Sequence, residues 1–265
     1  MANDLSTKIM GILNITPDSF SDGGRFLDPA EAYAHAVRMQ DNGAHIIDIG
    51  GESSRPGSQP LSLQKELDRV MPVLEKVVKL NVSVSIDTTK AEVAEEALRL
   101  GANMINDISG LRFDPRLADI AARYKAGLVI MHMKGKPENM QQAPAYSDVI
   151  REIYCFFRKQ MKIAHEAGLH KEHIILDPGI GFGKRLEDNI AIFRNLEKFL
   201  DLGCPLMIGA SRKSMINDIS PAAVDKRLPG SIILAAAAVL RGAKYIRVHD
   251  VAETVQALKV LKSIW

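Results

Sequence analysis

Short apolar runs and longer amphipathic stretches alternate along the whole chain. The short runs are rich in β-branched residues, as in 45–50 (HIIDIG), which is typical of strands buried on both faces. The longer runs have helical periodicity: in 91–98 (AEVAEEAL) the apolar residues fall on one face and the glutamates on the other. The pattern predicts strands at 8–13, 45–50, 82–87, 103–107, 127–131, 173–177, 205–209 and 244–249, and helices near 29–42, 62–79, 90–100, 115–125, 147–168, 188–201, 230–241 and 252–262.

Eight strand–helix pairs of this kind indicate βαβ units and a parallel sheet. They fill a chain of 265 residues, close to the roughly 250 that a (β/α)8 barrel takes. An open doubly wound sheet stays an alternative, although such a sheet rarely needs eight equal units. We therefore predict the α/β class, with a (β/α)8 TIM barrel that forms a single domain over residues 1–265.

The connections between these elements differ in length on the two sides of the predicted barrel. Every long connection follows a strand and precedes a helix, so it lies at the carboxyl end of the strands, where barrel enzymes carry their chemistry. Connections on the opposite side are short. This asymmetry predicts an enzyme whose site is formed by the connections 14–28, 50–61, 132–146, 178–187 and 210–229.

Polar side chains gather where the predicted strands end. Taken singly, each has a structural explanation, since Asp and Asn are common in turns and at helix N-caps. Together they predict a ring with acids and amides on the early strands and mostly bases on the late ones. The residues are Asn14, Asp48, Asp87, Asn106, Asp107, His132, Asp177, Ser211, Arg212, Lys213, Arg247 and His249.

The two halves of this ring predict a ligand with two chemically different parts. Carboxylates and amides match the adjacent NH, NH2 and C=O groups of a flat amino-pyrimidinone ring. Arginine, lysine and histidine suit a phosphate, which barrels often bind after the seventh and eighth strands. We expect Lys213, Arg247 and His249 to serve this phosphate, whereas the favoured interpretation of Arg212 is a solvated surface charge.

Composition and charge argue against a disordered protein and against nucleic acid or a membrane as a partner. With 46% hydrophobic and 25% charged residues, the chain has the composition of a globular protein rather than a disordered one. A net charge of +2 gives no electrostatic reason to expect nucleic acid or a membrane surface as a partner. We see no apolar run long enough to span a bilayer and no targeting segment, so we expect a cytoplasmic protein. The glycine-rich segment 177–184 (DPGIGFGK) lacks both nucleotide-loop spacings and is expected to shape the pocket.

Eight segments, in order along nearly the full chain, carry a resemblance to one family: GILNITPDSFSDGG (11–24), DIGGESSRPG (48–57), SIDTTKAEVAEEAL (85–98), INDISG (105–110), LVIMHMKGKPENMQ (128–141), DPGIGFGK (177–184), GASRKSMI (209–216) and IRVHDV (246–251). They resemble the dihydropteroate synthases, pterin-binding TIM barrels of folate biosynthesis. The resemblance implies a transferase that condenses 6-hydroxymethyl-7,8-dihydropterin diphosphate with 4-aminobenzoate, giving 7,8-dihydropteroate and diphosphate. It also implies Mg²⁺ as the cofactor, a homodimer, and competition by sulfonamides for the aminobenzoate site.

The resemblance also implies roles for individual residues. For the pterin ring it implies Asp87, Asn106, Asp177 and Lys213. For the diphosphate it implies Asn14, Ser54, Arg247 and His249, with Asn14 also a ligand to the metal. For the aminobenzoate side it implies Arg55, Ser211, Phe20 and Phe182. Catalysis is expected to rest on Asp87, Asp177, Lys213, Arg247 and His249.

Three other functions fit parts of the pattern. A methyltetrahydrofolate methyltransferase domain shares the pterin-binding acids and amide, but it has no diphosphate to hold. An aldolase would use Lys213 as a Schiff-base lysine, which requires a desolvated amine of low pKa. A pterin-binding module without turnover would keep the acidic half and should have lost the basic residues, all of which are present.

Overall fold

Eight parallel strands form one sheet that closes into a barrel. The computed structural model describes residues 7–16 and 28–265, and within them the strand order is β6-β5-β4-β3-β2-β1-β8-β7. β6 meets β7 through a parallel bridge between Leu176 and Leu206, and Leu176 N donates to Pro205 O across 3.0 Å. The predicted TIM barrel is confirmed. The strands are β1 (Lys8–Asn14), β2 (Ile46–Gly50), β3 (Ser83–Asp87), β4 (Met104–Asp107), β5 (Gly127–Met131), β6 (Ile174–Asp177), β7 (Met207–Ile208) and β8 (Tyr245–Val248).

Helices follow the strands and pack around the barrel. They are α1 (Pro29–Asp41), α2 (Leu63–Val77), α3 (Ala91–Leu100), α4 (Arg116–Tyr124), α5 (Val149–Glu166), α6 (Leu186–Arg194), α7 (Ser214–Ile219), α8 (Leu228–Leu240) and α9 (Val251–Ile264), with 3-10 turns at Lys171–His173, Leu196–Leu202 and Val224–Lys226. Sequence periodicity predicts most of these elements to within a few residues. The exceptions lie after β6 and β7.

One helix predicted near 188–201 is two elements in the structure, α6 and the 3-10 turn that follows it. Asn195 separates them: its backbone has a φ of −130°, and its side-chain amide donates to Ala191 O across 2.8 Å. An asparagine side chain that satisfies a helical carbonyl competes with the backbone and ends the helix. The short helix α7 lies inside the connection predicted at 210–229.

The interior of the barrel is packed with side chains rather than open. Met10, Ile46, Val129, Ile175 and Met207, from five different strands, form one buried cluster. This layer matches the filled core that barrels of eight strands have. In the described ranges, no helix has the length and apolar content that a bilayer crossing needs. That residues 1–265 form a single domain stays a prediction.

Candidate functional site

Strand periodicity explains why the charged residues meet at the carboxyl end of the barrel. Side chains two positions apart on a strand face the same side of the sheet. Ile46 belongs to the interior core, and Asp48 lies two residues later on β2. Tyr245 packs against the same core, and Arg247 lies two residues later on β8. Asp177, at the end of β6, lies two residues after the core residue Ile175.

Arg247 forms a fork between two carboxylates. Its Nε donates to Asp48 Oδ2 across 2.6 Å, and its Nη2 donates to Asp87 Oδ2 across 2.7 Å. Burial acts to lower the pKa of Arg247, but the two carboxylates outweigh it and raise that pKa above its usual range. Arg247 therefore stays charged and joins β8 to β2 and β3 through ion pairs that are mostly hidden from water.

Asp48 also orients Asn106. The Asn106 Nδ2 atom donates to Asp48 Oδ2 across 2.9 Å, and a carboxylate can only accept, so the amide nitrogen must face Asp48. This orientation leaves Asn106 Oδ1 as a buried acceptor that has no protein partner within residues 7–16 and 28–265. A buried acceptor of this kind is costly unless a donor reaches it, so a ligand N–H group suits this position.

Burial also changes the protonation of the two carboxylic acids at the strand ends. It raises the pKa of Asp87 to about 8, although the adjacent Arg247 acts in the opposite direction. It raises the pKa of Asp177 to about 6, opposed by the Gly179 N–H group, which donates to Asp177 Oδ1 across 2.7 Å, and by Lys213. Ligand N–H donors would favour the carboxylate form of both side chains.

Lys213 brings a positive charge to the same region. Burial lowers its pKa to about 8, and Arg247 acts in the same direction, while Asp177 and Asp87 oppose the change. Its Nζ lies 4.0 Å from the centre of the Phe182 ring, which is a cation–π distance. A cation placed between two acids and an aromatic ring can bind a polar edge or a developing negative charge.

Ser211 and His249 form a hydrogen-bonded pair beside these groups. Ser211 Oγ lies 3.0 Å from His249 Nδ1 and accepts the His249 backbone N–H across 3.3 Å. Burial lowers the pKa of His249 to about 3, and Arg212 is the strongest of the cations that add to this effect, so the ring is neutral near pH 7. In the tautomer that lets the Ser211 hydroxyl donate to Nδ1, the proton of the neutral ring lies on Nε2, where it can serve as a donor.

Arg212 is not the solvated surface charge that the sequence favours. Its Nε and Nη2 donate to Asp250 Oδ2 and Oδ1 across 3.0 and 2.5 Å, and both side chains are mostly buried. Its backbone N–H donates to Ser231 Oγ across 2.9 Å. This bidentate pair fastens the segment that carries Ser211 and Lys213 to the end of β8.

The connection 50–61 reaches the site from β2. Ser54 is half-buried and lines a small cavity together with Asp87 and Glu66, whereas Arg55 is exposed. The Arg55 charge is close enough to contribute to the lowered pKa of His249, although burial and the charges of Arg212, Arg247 and Lys213 contribute more. Ser54 and Arg55 therefore lie near the groups at the ends of β3 and β8.

A partly buried ion-pair network anchors the start of this connection. Lys90 donates to Glu52, within the connection, and to Glu66 Oε2 across 2.5 Å. Thr88 Oγ1 donates to Glu66 Oε1 across 2.6 Å, and Glu66 is fully buried. Arg69 Nη1 adds a hydrogen bond to Gly51 O across 2.9 Å.

Asn14 ends β1 and is half-buried. The described residues contain no cluster of three or more His, Cys, Asp or Glu side chains that could hold a metal ion. An amide oxygen is nevertheless a ligand type that Mg²⁺ accepts, because Mg²⁺ usually takes one or two protein oxygens and completes its shell with water and substrate phosphates. Asn14 fits that donor set. Phe20, with most of the connection 14–28, lies outside the described residues.

Phe182 is buried in a cluster with Met131, at the end of β5, and with Met133 and Met140 from the connection that follows. The residue is 7% exposed, and its ring faces the Lys213 ammonium. The ring is thus available as an apolar wall beside the cation.

The structure adds residues to which the sequence analysis gives no role. Asp48 is counted among the strand ends, but its function as the shared partner of Asn106 and Arg247 depends on contacts between distant strands. Glu66 could have been found, because it falls on the apolar stripe that continues through Val70 and Val77 on α2. A charged residue inside such a stripe signals a buried partner.

Comparisons with known proteins agree with this geometry. The family model described as pterin binding enzyme matches residues 10–249. A dihydropteroate synthase from Synechocystis is 46% identical over 261 residues, which cover 98% of this chain and 90% of the relative. The crystal structure of Yersinia pestis dihydropteroate synthase with a sulfonamide drug complex has a TM-score of 0.94 at 44% identity, covering 98% of this chain and 95% of that one. The Clostridium difficile enzyme crystallised in the presence of pteroic acid has a TM-score of 0.91 at 44% identity, covering 100% and 99%.

Proposed function

This chain belongs to the dihydropteroate synthase family of pterin-binding enzymes, and we propose that the carboxyl end of its barrel carries out the family's reaction. The enzyme is a transferase of a pterinylmethyl group, which condenses 6-hydroxymethyl-7,8-dihydropterin diphosphate with 4-aminobenzoate. The observation that carries the proposal for its site is the buried network of Asp48, Asn106, Arg247 and Asp87, which presents acceptors beside a fixed cation.

In this proposal the acidic side of the site holds the pterin ring. Asp87, Asp177 and the Oδ1 atom of Asn106 accept from the ring's N–H and NH2 groups, and Lys213 donates to a ring acceptor. The raised pKa values of Asp87 and Asp177, which are caused by burial, fall when such donors are bound. Both carboxylates then stabilise positive charge that spreads into the ring as the leaving group departs.

The basic side of the site stabilises the departing diphosphate. The bond between the pterin methylene and the diphosphate oxygen breaks, and its electron pair leaves with the diphosphate. Arg247, the Nε2–H group of His249 and the hydroxyl of Ser54 donate to the developing charge. A Mg²⁺ ion held by Asn14 and the diphosphate would supply Lewis-acid stabilisation of that charge.

The lone pair of the 4-aminobenzoate amine then forms the new carbon–nitrogen bond to the cationic methylene, and one N–H proton is released to the solvent. This lone pair is available at neutral pH, so no residue is needed to deprotonate the amine. Arg55 and Ser211 bind the aminobenzoate side, and Phe182 provides an apolar contact, a role that the family resemblance also implies for Phe20. Sulfonamides compete for the same place. Closure of the connection 50–61 would keep water away from the cationic methylene.

The measurement that tests the proposal is diphosphate release by the pure protein with dihydropterin diphosphate and Mg²⁺, with and without 4-aminobenzoate. We expect release to depend on 4-aminobenzoate and to fall by at least about 100-fold in Lys213→Ala and Asp87→Ala. Lys226→Ala, at an exposed lysine paired with Asp225, is the control and should match the wild type. Diphosphate release that is independent of 4-aminobenzoate would refute the proposed synthase reaction.

The cofactor, assembly and location have separate tests. Chelation with EDTA should abolish release, and added Mg²⁺ should restore it; full activity after chelation would contradict the metal proposal. Sedimentation should give twice the chain mass if the enzyme is a homodimer. The cytoplasmic location stays a prediction, which fractionation of cells that express the protein would check.

A further inference from the structure

Lys184 is a buried cation with no part in the reaction described above. It lies at the end of the glycine-rich segment after β6, and it is 3% exposed. Its Nζ lies 3.0 Å from His132 Nδ1, 3.1 Å from His132 O and 3.0 Å from Phe182 O. An ammonium group has three N–H donors, so these three acceptors satisfy it fully.

The neutral His132 ring agrees with this arrangement, and Lys184 is mainly an ammonium group below about pH 7. Burial lowers the pKa of His132 far below its usual range, and the Lys184 cation acts in the same direction, so the ring is neutral and its Nδ1 can accept. Burial lowers the pKa of Lys184 itself to about 7, and Lys213 and Arg112 act in the same direction. The carboxylates of Asp177 and Asp188 oppose that change.

Two connections interlock around Lys184. The Tyr146 hydroxyl donates to Gly183 O across 2.7 Å, and Gln141 Nε2 donates to Gly181 O across 2.6 Å. Gly183 has a φ of +62°, and a Cβ at that position would lie only 2.2 Å from Lys134 O. The segment after β6 is therefore packed in close contact with the connection 132–146.

Phe182 links Lys184 to the site. Its carbonyl accepts from the Lys184 ammonium, while its ring lies 4.0 Å from the Lys213 ammonium. The Lys213 side chain also runs along Gly181, where an added Cβ would lie 3.4 Å from Lys213 Cδ. The position of Lys213 thus depends on the backbone that Lys184 holds.

We propose that Lys184 is a positioning residue: by joining His132 at the end of β5 to the Phe182 carbonyl, it fixes the Phe182 ring and so the Lys213 ammonium in the pterin half of the site. This inference rests on the proposed function and deepens it. The three N–H donors of Lys184 are all used within the protein, so it acts through the groups that it holds. Its removal should weaken pterin binding in the folded protein rather than only reduce the folded fraction.

Calorimetric titration with 6-hydroxymethylpterin separates these two effects, because misfolding lowers the stoichiometry whereas misplacement raises the Kd. We expect Lys184→Met to raise the Kd about tenfold, which corresponds to about 1.4 kcal/mol, at unchanged stoichiometry. Lys136→Met, at an exposed lysine of the connection 132–146, removes the same charge and should leave the Kd unchanged.

An unchanged Kd in folded Lys184→Met would overturn the inference. If that variant does not fold, Lys184→Met is combined with His132→Leu. The double variant removes both members of the buried pair and places an apolar side chain where the His132 ring lies. A raised Kd in the double variant supports the inference, and a Kd equal to that of the wild type overturns it. Wild-type diphosphate release that depends on 4-aminobenzoate is measured in parallel, so a failure of the proposed function is recognised separately.

Discussion

Arg247 Nη2 donates to Asp87 Oδ2 across 2.7 Å, and this contact joins the last strand of the barrel to the third. The same guanidinium donates to Asp48, which is fully buried. One cation therefore pairs with the Asp48 carboxylate and donates to Asp87, and in the proposed reaction it also donates to the departing diphosphate. Its structural role and its role in the reaction cannot be separated by activity measurements alone.

We expect Arg247→Met to lower the free energy of unfolding by about 3–5 kcal/mol at pH 7, because it leaves the buried Asp48 carboxylate without its cation. Diphosphate release should be lost as well. Arg241→Met is the matched control, since Arg241 pairs with Glu197 at 3.3 Å on the surface and should contribute less than about 1 kcal/mol. Urea unfolding of both variants measures the difference. Equal stabilities would show that the fork around Arg247 does not stabilise the barrel.

The raised pKa of Asp87, caused by burial, predicts how stability changes with pH. The folded protein keeps a proton on this side chain up to about pH 8, whereas the unfolded chain loses it near pH 4. The contribution of Asp87 to stability is therefore fully present below pH 4 and is lost as the pH rises towards 8. Asp87→Asn mimics the protonated form, so its stability relative to the wild type should rise between pH 5 and 8, by at most about 1.4 kcal/mol per pH unit.

Urea unfolding of both proteins at several pH values checks this prediction. The quantity to compare is the difference in the free energy of unfolding between the two proteins, because histidines with lowered pKa values change the stability of both in the same way. A difference that stays constant from pH 5 to 8 would mean that Asp87 is ionised in the folded protein throughout that range.

Strand periodicity and strand-end chemistry were sufficient to predict the barrel and the meeting of Asp87, Asp177 and Arg247, because both follow from the two-residue repeat of a parallel strand. Contacts between side chains that are far apart in the chain have no such repeat. Lys184 and His132 are 52 residues apart, and nothing near either of them in the sequence indicates that they meet. The pairing of Arg212 with Asp250 depends in the same way on the closed barrel.

Lys90 should stabilise both the barrel and the start of the connection 50–61. It donates to fully buried Glu66 and to Glu52, so Lys90→Met leaves a buried acid without its cation. We expect a loss of about 3–5 kcal/mol in the free energy of unfolding and a raised KM for 4-aminobenzoate. Lys162→Met, which breaks an exposed pair with Glu166 on α5, should change stability by less than about 0.5 kcal/mol and leave the KM unchanged. A KM for 4-aminobenzoate equal to that of the wild type would show that the ion-pair network does not position the connection.

Alanine substitutions at two glycines with left-handed backbones distinguish the cost of backbone strain from the cost of steric overlap. Gly179 has a φ of +70°, and an added Cβ would lie 2.0 Å from His132 O; Gly57 has a φ of +83° with no atom within 4 Å of an added Cβ. Gly57→Ala should therefore lose only about 1–2 kcal/mol, from the left-handed backbone. Gly179→Ala must in addition push the segment after β6 away from β5, so it should lose clearly more stability and bind 6-hydroxymethylpterin more weakly. Thermal unfolding and calorimetry of the two variants compare them directly. If Gly179→Ala were no less stable than Gly57→Ala and bound pterin equally well, the close approach of Gly179 to His132 would not be required for the site.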